Sequence, residues 1–168
     1  MYYHFSENPD ITIFEPRLPA SFSDQPPLVW AIDEEHAPLY YFPRECPRVA
    51  FWQGPDTTKE DDERFISYSE AKMIIAVEAR WLETIRSATI YKYTFPPDTF
   101  TCFDENAGYY TSLVTVKPLS VEPIGDLLDR LIEAKVEIRI TPSLFPLQNT
   151  IKNSTLNFSM IRMRNAKG

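Results

Sequence analysis

The sequence predicts one α+β domain over residues 1–168, with a bent, mostly antiparallel split sheet and two or three helices. Three observations point there. Short apolar runs bounded by proline, glycine and asparagine recur along the chain, as strands between turns do. Two stretches repeat apolar residues at helical spacing. The 168 residues are 43% hydrophobic and 24% charged, and a chain of this length buries roughly 70% of the surface its unfolded form exposes, enough for a core without disulfides or metal.

Residues 2–6, Tyr-Tyr-His-Phe-Ser, read as a first strand closed by Asn8-Pro9, because the residue before proline is driven out of helical space. Ile11 to Phe14 alternate in polarity, and Pro16, Pro19, Pro26 and Pro27 then bracket a Ser-rich surface loop. Residues 28–32 are continuously apolar, as in a strand buried on both faces. Asp33 then stands where it can cap a short helix over 34–41, with Glu34 and Glu35 in its first turn and Pro43 past its end. Residues 49–52 form a third strand, and the acidic stretch 60–63 reads as a solvated loop.

From Ser69, Ile74, Val77, Trp81, Leu82 and Ile85 recur at helical spacing, so a helix is expected there. At about 100° per residue, Glu78 falls about 40° from Ile74 and inside the apolar stripe. A buried carboxylate needs a partner, and the alternatives are an ion pair with Arg48 or Arg80 and an acid facing a pocket. Residues 90–95 alternate strictly and make a strand with an aromatic face. A strand over 109–116 follows the Asn106-Ala107-Gly108 turn. Pro123 then opens a helix that presents Ile124, Leu127, Leu128 and Leu131 on one face. Residues 136–140 are the last clear strand, and 159–164 form an edge strand within a C-terminal extension, 141–168, of weak periodicity.

Composition excludes several functions. The four glycines, Gly54, Gly108, Gly125 and Gly168, stand too far apart for a phosphate-cradling loop or a dinucleotide fingerprint. Cys46 and Cys102 form no CxxC, so no zinc ribbon or dithiol redox pair is expected, and no metal site is assigned. The first ten residues lack a signal-peptide pattern and no stretch reaches the roughly 18 apolar residues of a membrane span, so a cytoplasmic protein with no membrane partner is expected. The net charge is −7, yet residues 141–168 hold four bases and no acid, which leaves −11 on residues 1–140. An acidic body disfavours nucleic acid as a partner, and the tail bases are expected to pair with that body.

Two groups of residues could carry chemistry. His4 and Ser6 lie two apart on a strand and so share a face, where an imidazole and a hydroxyl can grip a ribose. The alternative is a histidine satisfied by a backbone carbonyl. His36 is expected at the surface. Tyr40, Tyr41, Phe42, Arg44, Arg48 and Trp52 crowd into one window, where arginine forks suit phosphates or carboxylates and rings suit bases; the alternative is a packed corner between two strands.

The run Tyr3-His4-Phe5-Ser6, then Phe14-Glu15-Pro16-Arg17, Val29-Trp30-Ala31-Ile32-Asp33, and Ala37 with Tyr40 resembles the opening of the ADP-ribosyltransferase-like superfamily. Residues 30–38 and 42–48 also resemble a small family of uncharacterised bacterial proteins, and that likeness spans nearly the whole chain. The superfamily resemblance implies an ADP-ribosyltransferase-like fold that binds NAD, as substrate, or a nucleotide-like small molecule. The resemblance implies His4 in a catalytic position, with Ser6, Arg17, Tyr40, Tyr41, Arg44 and Tyr109 around the ligand; Glu78, projecting into the cleft from its helix, is the further catalytic candidate, although neither it nor Glu105 matches the superfamily's motif. Active transferases carry a glutamate near the start of a late strand, but the matching stretch here is Ala107-Gly108-Tyr109-Tyr110-Thr111-Ser112. The lack of a carboxylate there weighs against catalysis more than against binding. The readings that stand are a nucleotide-binding domain, an RNA-end or phosphoryl-processing transferase, and a non-catalytic interaction module.

Overall fold

The computed structural model describes residues 1–19 and 24–168. In chain order the elements are β1 (Tyr2–Ser6), β2 (Val29–Ile32), β3 (Arg48–Trp52), α1 (Lys59–Phe65), β4 (Met73–Glu78), α2 (Leu82–Ser87) and β5 (Ile90–Phe95). There follow β6 (Thr101–Asp104), β7 (Tyr109–Ser112), β8 (Ser120–Ile124), α3 (Leu127–Glu133), β9 (Val136–Thr141), α4 (Phe145–Lys152) and β10 (Asn157–Ile161). Short 3-10 turns lie at Ala37–Tyr40, Ala79–Trp81 and Met163–Asn165. The class is α+β, and among the described residues every pairing between these strands but one, β4 with β9, is antiparallel.

The chain divides into two compact units, Met1–Ala37 with Thr89–Ile124, and Pro38–Ala88 with Gly125–Gly168. The first is a six-stranded antiparallel sheet in the order β6-β7-β2-β1-β5-β8. Its buried face holds Val29, Ala31, Tyr93, Phe95 and Val116, with Tyr2, Phe14 and Phe100 packed against them. Alternation on β1 and β5 produces this face: Tyr2, His4 and Ser6 lie opposite Phe95, Tyr93 and Tyr91, all pointing the same way. The 11–14 segment adds a single bridge, Phe14 to Val116, rather than a strand. Of the Ser-rich loop, residues 20–23 lie outside the described residues.

The second unit is a four-stranded sheet, β10-β3-β4-β9, in which β4 and β9 run parallel. Val49, Phe51, Ile74, Ala76, Leu144, Ile151 and Leu156 form its core. Each of the larger side chains among them, fully buried, stabilises the fold by roughly 1.5–3 kcal/mol before the cost of ordering the chain.

Several elements differ from the sequence expectation. Residues 73–78 are not helical: β4 lies between β3 and β9 and is buried along its whole length, so its run Met-Ile-Ile-Ala-Val is that of a central strand. Helix follows only at α2, and Ser69 accepts the Ala71 N–H in a turn instead of capping a helix. Residues 60–63 belong to α1, because Thr58 caps it and three acids sit in its first turn, where the helix dipole favours anions. The expected 34–41 helix reduces to the 3-10 turn around Pro38.

Pro123 closes β8 instead of opening a helix. As an edge strand of the first sheet, β8 tolerates a proline that donates no ladder hydrogen bond. The helix begins at Leu127. Residues 141–168 hold α4 as well as the expected edge strand, β10, which brings the described α-helices to four instead of two or three.

Candidate functional site

In the first unit, β1 and β2 pair at Tyr3 and Ile32, which sets His4 opposite Ala31, and Ala31 in turn pairs with Tyr110 on β7. His4, Ala31 and Tyr110 therefore form one row on the buried face, with the small alanine between the two rings. The His4 imidazole packs edge-on to Phe14 at 4.9 Å and lies 6.2 Å from Phe95. Its Nδ1 stands 3.3 Å from the Trp30 carbonyl oxygen, which can only accept, so Nδ1 carries a proton. Tyr2, two residues along the same face, stacks on Tyr110 at 4.1 Å.

Ser6 is buried, and its hydroxyl oxygen accepts the Asn8 N–H at 3.1 Å, closing the turn after β1. Arg17 is exposed and exchanges backbone hydrogen bonds with Leu28. Tyr109 opens β7 on the opposite sheet face and meets Trp30 edge-on at 5.9 Å.

A second cluster forms in the other unit. Arg48, 2% exposed, donates from Nε to Leu39 O and from Nη1 to Cys46 O, each at 2.7 Å. Its guanidinium lies over the rings of Tyr40 and Phe42. The arginine thus fastens the 39–46 loop from within, which fits the packed-corner alternative for this window. Tyr40 and Tyr41 are half-buried on that loop and Arg44 is exposed. Burial pushes the Cys46 thiol up to about 12, with Arg48 only partly opposing, so this sulfur is not a nucleophile at neutral pH.

Glu78 ends β4 at 1% exposure. Arg80 Nη2 lies 3.2 Å from its Oε1, and the backbone N–H groups of Lys167 and Gly168 donate to it at 3.1 and 2.9 Å. Burial alone would raise this acid; the two amides and Arg80 outweigh it and hold the carboxyl below the ordinary range. The partner is Arg80 rather than Arg48. Tail bases also meet acids of this unit, as Arg164 does Glu45 at 3.4 Å.

One constellation was not legible as a site. His36 is buried, not at the surface, and its Nδ1 lies 2.8 Å from Asp33 Oδ1, which also accepts the His36 N–H. The spacing Asp-x-x-His after an apolar strand was the available signal, since a capping carboxylate reaches the third residue on.

Among the described residues, no helix is long and apolar enough to cross a membrane, and no group of three or more His, Cys, Asp or Glu side chains could hold a metal ion. No curated protein and no solved structure matches the chain. A family model described as "Family of unknown function (DUF6886)" matches residues 3–166, nearly the full length, and the chain belongs to that family.

Proposed function

We propose that this chain binds a ribose-bearing nucleotide, NAD or ADP-ribose among them, on the face of the first sheet that carries His4, within an ADP-ribosyltransferase-like fold. The observation that supports this reading best is the setting of the His4 ring. With its Nδ1 held 3.3 Å from Trp30 O, the half-buried imidazole is fixed in orientation on this face, and an imidazole so fixed is a group that can recognise a sugar hydroxyl. The half-buried rings of Tyr2 and Tyr110 supply flat π surface beside it for a base or nicotinamide. The role is binding rather than turnover, because residues 107–112 carry no carboxylate to stabilise an oxocarbenium-like charge. Arg17, on the same unit, is the further contact this reading assigns.

The test is a calorimetric titration of the native chain and His4→Ala with NAD and with ADP-ribose, with circular dichroism to confirm that the variant folds. Saturable binding that weakens tenfold or more in His4→Ala is expected, since one lost hydrogen bond to a partly buried group costs about 1–2 kcal/mol. Absence of binding at millimolar ligand would overturn the reading.

A further inference from the structure

Asp33, at the end of β2, joins two structures. Its N–H donates to Gly108 O at 3.0 Å, and its Oδ1 receives both the His36 N–H and His36 Nδ1 at 2.8 Å. His36 also hydrogen-bonds to the Asn106 backbone, a contact that favours the charged ring. A bond that favours imidazolium is one the ring donates, and the backbone's only acceptor is the carbonyl. The ring therefore meets a carboxylate at Nδ1 and also a peptide carbonyl of the hairpin turn. Neutral imidazole has a single N–H to divide between the two acceptors, where imidazolium has two.

The turn is shaped to receive the ring. Gly108 has φ +74°, and a Cβ there would overlap the imidazole and stand 2.7 Å from Asp33 Oδ1. The Ala107 N–H is tied to Asp104 Oδ1 at 3.1 Å, so the turn is held as a unit.

We propose that His36 is a proton-operated latch: as imidazolium it staples the turn of the β6–β7 hairpin to the end of β2, and loss of one ring proton releases that turn. The charged groups of the segments involved are Glu34, Glu35 and Asp33 on its own side and Asp104 and Glu105 on the hairpin. All are acidic, and no base lies within 101–112 to oppose the cation. Burial works against the charge, but the Asp33 hydrogen bond and charge, Glu35 and the Asn106 carbonyl outweigh it, so His36 titrates above its ordinary value of about 6.5. Because the folded value is the raised one, the staple is complete below about 6.5 and is lost as pH rises through the folded value.

Hydrogen exchange of the full chain, read at residues 104–110 across pH 5.5 to 9 and corrected for the intrinsic pH dependence, tests this. Protection there is expected to fall tenfold or more across the His36 midpoint, while β3 and β4 stay unchanged. The chain has two histidines, so the imidazole NMR signal missing from His36→Gln assigns the midpoint. In that variant the pH-dependent step should vanish, and Asp33→Asn should move the midpoint down. A flat profile in the native chain, or a step that survives in His36→Gln, would overturn the latch. Should His36→Gln fail to fold, the imidazole signal whose midpoint Asp33→Asn moves is assigned to His36, and its agreement with the native exchange profile decides.

Discussion

Glu78 carries a pH dependence of stability that can be separated from the rest of the chain. Its carboxylate is buried and bonded to Arg80 and to the Lys167 and Gly168 amides, which hold its folded value below that of the unfolded chain. A depressed value stabilises above the unfolded pKa and loses that contribution as pH falls through the folded one. Glu78→Gln should therefore flatten the acid limb of a stability-versus-pH curve, and Glu78→Ala should cost about 1–3 kcal/mol at neutral pH by stranding the amide donors. Urea unfolding at pH 7 and pH 4 measures both; equal acid limbs for native and Gln variant would refute the assignment. The need of this residue for a partner was legible in the sequence even though its secondary structure was not. A charge inside an apolar run needs a partner whether the run is helix or strand, and Arg80 stands two residues away. What could not be read is a partner drawn from residues 167–168, because backbone amides leave no trace in residue identity.

The expected helix over 69–85 misreads five consecutive apolar residues, which match one face of a helix and a central strand equally well. Only the partners β3 and β9, distant in sequence, decide between them. The alternating strands β5 and β9 were legible because the period of two has no helical counterpart. The end of α3 was not, since Lys135 occupies the left-handed position after it, φ +61°, where glycine is the usual signal. Its N–H still bonds to Ile132 O, so the helix closes as it would with glycine. Lys135→Gly should remove the strain of a Cβ in that region and stabilise the chain by about 1 kcal/mol, readable as a rise in denaturation midpoint. A fall in the midpoint would mean that the lysine side chain contributes more than its backbone costs.

The two compact units are each assembled from two separated stretches, so the chain passes between them three times. This interleaving is invisible to a segment-by-segment reading of the sequence. In the second unit the central strands β3 and β4 come from the earlier stretch, but the strands that cover their outer edges, β10 and β9, come from the later one. Pro38–Ala88 alone would leave two strand edges and the faces of Val49, Phe51, Ile74 and Ala76 without Leu144, Ile151 and Leu156. An isolated two-stranded antiparallel pair is at best marginally stable in water, and the loss of a covering core lowers it further. Residues 38–88 expressed alone should therefore show no cooperative thermal transition by circular dichroism, whereas the full chain should unfold cooperatively. The same pairings close long loops before any contact rewards them, so refolding of the full chain, followed by tryptophan fluorescence, should take milliseconds to seconds rather than microseconds. A cooperative transition in the fragment would show that β3, β4 and the intervening α1 form a self-sufficient core, and would remove the reason for expecting slow folding of that unit.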